Sequence, residues 1–86
     1  MTADSSISEI FEDETGARWE AFAPEQTVAH GRQGAVLAFR PAGSGSEGVR
    51  STVTFNSREA AELAIHTLSL RELRRHLGLA RVAAGI

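Results

Sequence analysis

At Asn56 the apolar pattern of this 86-residue chain changes its period, and that change constrains the fold more than any other feature. Before it, apolar and polar residues alternate in short runs, as in strands with one buried face. After it, apolar residues recur at three- and four-residue spacing, as in helices lying on a surface. Strands followed by helices give an α+β fold rather than alternating βαβ units. A chain this short has room for one hydrophobic core. The expectation is a single domain over 1–86, a small two-layer α+β sandwich. A four-stranded, mainly antiparallel meander spans 7–56, and two C-terminal helices over 57–79 pack on one of its faces. Residues 1–6 form a flexible N-terminus and 80–86 a short tail.

The strands are bounded by turn formers. Ile7 to Asp13 and Ala17 to Ala23 flank Asp13-Glu14-Thr15-Gly16, which reads as a β-hairpin with Asp13 accepting backbone N–H bonds across the turn. Simple pairing puts Phe11 and Trp19 on one face, where facing aromatics add about 0.2–1 kcal/mol over an alanine pair. Arg18 and Glu20 then face water. Pro24 closes the second strand, because proline cannot donate to a ladder. Glu25 to Gln33 reads as a loop with room for a short edge strand. Gly34 to Arg40 is apolar at nearly every position, which suits a central strand covered on both faces. After the connector Pro41–Gly48, Val49 to Phe55 alternates, with Val49, Ser51, Val53 and Phe55 on the inner face.

In the helical part, Asn56 or Ser57 caps a first helix whose stripe is Ala61, Ile65 and Leu68, with Ala60, Leu63 and Ala64 beside it. Ser69-Leu70-Arg71-Glu72 has capping-box spacing and starts a second helix. Its apolar face is Leu70, Leu73 and Leu77. Gly78 reads as the residue that ends it, with Leu79 folding back on Leu73. The tail from Ala80 extends the helix, docks, or frays.

Composition excludes much chemistry. The chain has no cysteine and no tyrosine, and all nine of its basic residues are arginine. Disulfides, thiolate metal sites, Schiff-base lysines and tyrosine acids are therefore absent. The richness in alanine, glycine and arginine suggests a bacterial gene of high GC content. No long apolar run and no basic leader occur, so the expected location is the cytoplasm, without processing. His66 and His76 are ten residues apart, which is not the spacing that places two ligands on one helical face, and His30 lies far from both. Glu12-Asp13-Glu14 fits a solvated turn better than a cation loop. The segment Gly43–Gly48 lacks the Gly-Lys-Ser/Thr of a phosphate loop, and no Gly-x-Ser-x-Gly elbow occurs. The reading is therefore a protein without catalytic residues, metal, cofactor or small-molecule substrate.

Charge is distributed unevenly. Residues 1–25 carry seven acids against Arg18 alone, and the remainder is net positive. Arg71, Arg74, Arg75 and Arg81 make a basic contact face, and Glu12, Asp13 and Glu14 an acidic one. This supports a small non-catalytic interaction module that binds another protein or a second copy of itself. A sheet edge, or a groove between the sheet and the basic C-terminal helix, would serve as the surface.

The stretch Leu68-Ser69-Leu70-Arg71-Glu72-Leu73-Arg74-Arg75-His76-Leu77-Gly78-Leu79-Ala80-Arg81 resembles the first helix and turn of a bacterial helix-turn-helix. The resemblance implies an alternative, a DNA-binding regulator using residues 69–86 with the sheet for dimerisation. Arg74 stands where that motif usually has alanine, and only Ala80 to Ile86 is left for a recognition helix, with Arg81 as its one base-reading side chain.

Overall fold

The computed structural model describes residues 8–27, 31–46 and 48–85. The readings for residues 1–7, Val28, His30, Glu47 and Ile86 lie outside the described residues. Seven elements follow in order: β1 (Glu9–Glu12), β2 (Arg18–Phe22), β3 (Glu25–Thr27), β4 (Gln33–Pro41), β5 (Val49–Phe55), α1 (Arg58–Thr67) and α2 (Leu70–Ala83).

All pairings are antiparallel, and β4 is the spine of the sheet. β2 pairs the C-terminal half of β4 (Ala21 opposite Phe39) and β3 its N-terminal half (Glu25 opposite Ala35). β5 pairs β4 along a stretch overlapping both, so it lies on the other side. β1 pairs only β2, with Phe11 opposite Trp19 as the alternation requires. The sheet has five strands where four were expected, because the short edge strand for which Glu25 to Gln33 left room is formed at Glu25–Thr27. Pro24 interrupts without ending the pairing: its carbonyl accepts the Val36 N–H at 3.1 Å, and the chain resumes on β4 one residue later.

The core lies between the sheet and the helices. Phe11, Ala21, Ala35, Leu37, Phe39 and Val49 meet Ala61, Ile65, Leu73, Leu77 and Ala80. Phe11 and Phe39 make an edge-to-face pair at 5.9 Å. The other face of β4 is also closed, though no second layer of described residues lies there. Val36 and Ala38 are buried, and the Arg40 guanidinium covers Phe22 at 4.2 Å while donating to Glu20 at 2.8 Å. Glu20 is therefore half-buried and paired instead of facing water, and the Arg40 bond holds its carboxyl below the usual range. Arg50 reaches across to the Gln26 side chain on the same face.

Ser57 caps α1 through its hydroxyl, which accepts the Ala60 N–H, and Ala61 and Ile65 carry the buried stripe. Ser69 and Glu72 form the capping box of α2 reciprocally. α2 differs from the sequence expectation at its far end. It runs unbroken through Gly78 to Ala83, so the tail extends the helix, and Leu79 is 56% exposed instead of folding onto Leu73. The physical reason is burial: Leu77 and Ala80 sit on the core on either side of Gly78, and keeping both there requires a continuous helix. Leu70 is likewise 47% exposed, and the buried face is Leu73, Leu77 and Ala80.

Candidate interaction site

The acidic hairpin and the basic helix, distant in sequence, come together in space. Arg74 Nε donates to the main-chain carbonyl of Glu12 at 2.9 Å. Glu14 borders an open groove of about 600 Å³ whose other wall is α2, at Arg71, Arg74, Arg75, Gly78, Leu79 and Val82. The acidic and basic contact faces are neighbours.

Their residues have different tasks. Asp13 is spent on its own turn: one oxygen accepts from Thr15 N (2.8 Å), Thr15 Oγ1 (2.7 Å) and Ala17 N (3.0 Å). The other accepts from Trp19 Nε1 at 3.0 Å. These donors, the Thr15 hydroxyl foremost, bring its pKa down from 3.8 to about 2. Arg81 lies over the Trp19 ring at 5.5 Å and ties α2 to β2. Arg74 is half-buried and ties α2 to β1. Arg71 and Arg75 are exposed and make no ion pair with any described residue. Of the charged candidates, Arg71, Arg75, Glu14 and the Glu12 carboxylate retain a free surface.

A second groove, of about 580 Å³, runs along the outer edge of β1. Phe11, Leu68, Leu70 and Leu73 give it apolar walls, with Ile10 at 53% exposure beside them. Glu9, Glu12, Arg18 and Arg74 supply charge around it. The hairpin register shows which main-chain groups face it. Asp13 N bonds Ala17 O, which turns Asp13, Phe11 and Glu9 toward β2. By alternation, Ile10 and Glu12 turn outward, as the Arg74 bond to the Glu12 carbonyl confirms. The N–H and C=O of Ile10 and the N–H of Glu12 thus point away from β2 on the groove side of the edge.

The sequence reading missed this groove's apolar residues. Leu70 was assigned to the core by its spacing, and Ile10 was passed over because only its neighbours Phe11 and Trp19 defined the inner face. The Phe11–Trp19 pair places the Ile10 side chain on the opposite face, whereas the in-plane direction of its main-chain groups follows only from the Asp13–Ala17 bond.

The helix-turn-helix read over residues 69–86 lacks its turn, since Gly78 lies within α2 and Arg81 packs on Trp19. Of the described histidines, His66 Nδ1 lies 2.7 Å from Glu9 Oε2, and His76 is half-buried on α2. No group of three metal-binding side chains occurs among the described residues. No helix among them is long and apolar enough to cross a membrane. Comparison with known protein families, curated proteins and solved structures finds no match for this chain.

Proposed function

We propose that this protein is a small, non-catalytic, cytoplasmic interaction module that adds an extended segment of a partner protein to the edge of β1. The carrying observation is the coincidence of the outward-facing N–H and C=O of Ile10 and N–H of Glu12, unpaired among the described residues, with a groove walled by Phe11, Leu68, Leu70 and Leu73. Main-chain bonds to a strand edge supply affinity without regard to sequence, and pockets for alternate side chains supply choice. Here the α1–α2 corner provides the pocket wall. Arg18, Arg74 and Glu12 place charge of both signs at one end, and Glu9, beside His66, stands at the other, so polar side chains of an added strand find partners at both ends.

The reading is tested by selecting peptides from a display library on the purified protein. Binders should alternate apolar and polar residues. Ile10→Pro removes an outward N–H while leaving the β1–β2 ladder intact, and should weaken them by about tenfold or more. Leu70→Arg should do the same by filling the groove. Absence of binders, or binders indifferent to both changes, would overturn the reading.

A further inference from the structure

The outer edge of β1 presents a set of main-chain groups that is its own complement. Outward-facing residues alternate from Ser8 through Ile10 to Glu12, and the Ser8 hydroxyl reaches the Glu20 carboxylate on the Ile10 side of the sheet, as that alternation requires. Arg74 already holds the Glu12 carbonyl at 2.9 Å. The Glu12 N–H, both groups of Ile10 and the Ser8 carbonyl are left, without a main-chain partner among the described residues. Two donors and two acceptors are thus arranged symmetrically about Ile10.

We infer that the extended segment taken by this edge is β1 of a second copy of the chain, running antiparallel across a two-fold axis at Ile10. The inference rests on the reading of β1 as a strand-addition site, and it joins two five-stranded sheets into one. Register decides the centre. Outward-facing groups must meet outward-facing groups, so the axis can pass through Glu9, Ile10, Phe11 or Glu12 but not between residues. An axis at Glu9 sets two Glu9 carboxylates opposite each other, and one at Glu12 does the same for Glu12. An axis at Phe11 sets Glu9 opposite the partner's Asp13. Like charges directly opposite destabilise a sheet. The axis at Ile10 opposes none: Ile10 meets the partner's Ile10, Glu9 the partner's Phe11, and Glu12 the partner's Ser8. Ile10 N–H then bonds the partner's Ile10 carbonyl and Glu12 N–H the partner's Ser8 carbonyl, each twice by symmetry. Glu9 arrives one residue from the place where the partner's Arg74 holds the strand edge, so opposite charges adjoin. Each β1 also fills the other copy's groove, which covers Ile10 and Leu70, 53% and 47% exposed.

The chain has no cysteine, so introduced thiols report this register. Residues opposed in a hydrogen-bonded pair have Cα atoms about 5.5 Å apart, within disulfide reach. Ile10→Cys, oxidised with diamide, should give a covalent dimer. Ser8→Cys and Glu12→Cys should cross-link poorly alone, because about 13 Å along the strands separates equivalent positions, and readily when mixed. Sedimentation equilibrium up to about 1 mM protein should show a dimer, weakened about tenfold or more by Ile10→Arg, which opposes two like charges at an exposed position. A dimer indifferent to Ile10→Arg would overturn the inference. So would Glu12→Cys cross-linking alone as readily as in the mixture. Peptides selected on dilute, monomeric protein should compete with self-association. A protein that binds such peptides at β1 yet stays monomeric over the whole range overturns the second copy and leaves strand addition standing, whereas absence of both binders and dimer overturns the two together.

Discussion

Trp19 donates its indole N–H to Asp13 at 3.0 Å across the β1–β2 turn, and the face of the same ring carries the Arg81 guanidinium at 5.5 Å. One side chain therefore fixes the hairpin tip and docks the C-terminal half of α2 against it. Trp19 is the chain's one tryptophan, so its fluorescence reports on both contacts.

The low pKa of Asp13 makes the turn acid-sensitive. A carboxyl whose pKa is lower in the folded state stabilises that state above its unfolded pKa, and the contribution fades as pH falls through the folded value. For Asp13 the window runs from about 3.8 down to about 2. The Asp13→Asn variant should melt below the wild type at pH 7, and the two melting temperatures should converge by about pH 2. Glu20 and Glu72, whose carboxyls are also held low, lose stability in the same direction in both proteins and cancel from the difference. Thermal melts followed by tryptophan emission measure it.

Two leucines of α2, one buried and one exposed, should respond unequally to mutation. Leu77→Ala empties a core position and should cost about 2–5 kcal/mol, whereas Leu70→Ala, at a half-exposed position, should fall below about 1 kcal/mol. Urea unfolding at neutral pH distinguishes them, and equal effects would contradict the packing described.

Removing the cap of the same helix has a separate cost. Ser69→Ala deletes the hydroxyl that accepts the Glu72 N–H and should lower stability by about 1 kcal/mol. Ser69→Asp restores an acceptor at the positive end of the dipole and should recover most of it. Urea midpoints with an unchanged m-value test both.

Gly48 contrasts with Gly78. It enters β5 with φ at +68°, and a Cβ there would overlap the Phe39 carbonyl oxygen in the neighbouring strand. Gly48→Ala should be destabilising by about 1–3 kcal/mol from the backbone conformation alone, and by more from the overlap. Gly78→Ala should stabilise the monomer, since glycine inside a helix costs about 1 kcal/mol relative to alanine and a Cβ there would meet no atom within 4 Å. Melting temperatures of the two variants, measured at low protein concentration, should move in opposite directions.

What could be read from the residues follows local rules. The hairpin at Asp13–Gly16, the pairing of Phe11 with Trp19, the central apolar strand and both serine caps depend on contacts close in sequence or on a single strand's pattern. The Glu25–Thr27 strand was legible only as room for a short edge strand within a loop, since three polar residues carry no periodicity and take their strand geometry from β4. Apart from Asp13, the charged candidates were legible as charges and not as roles. The turn role of Asp13 was legible from its place before Glu14-Thr15-Gly16, whereas nothing local shows that Glu14, one residue later, lies on the open groove beside α2.

The sequence by itself determined the order of strands and helices, the turn and cap residues and the inventory of chemistry available. Those properties depend on backbone conformational preference and on side-chain identity, which act within a few residues. Tertiary structure alone decided that α2 continues through Gly78, that Arg74 and Arg81 are anchors while Arg71 and Arg75 are free, and that the acidic turn lies beside the basic helix. Each of these turns on which atoms distant in the chain compete for one place, and burial of Leu77 and Ala80 on the sheet outweighs glycine's small preference for ending a helix.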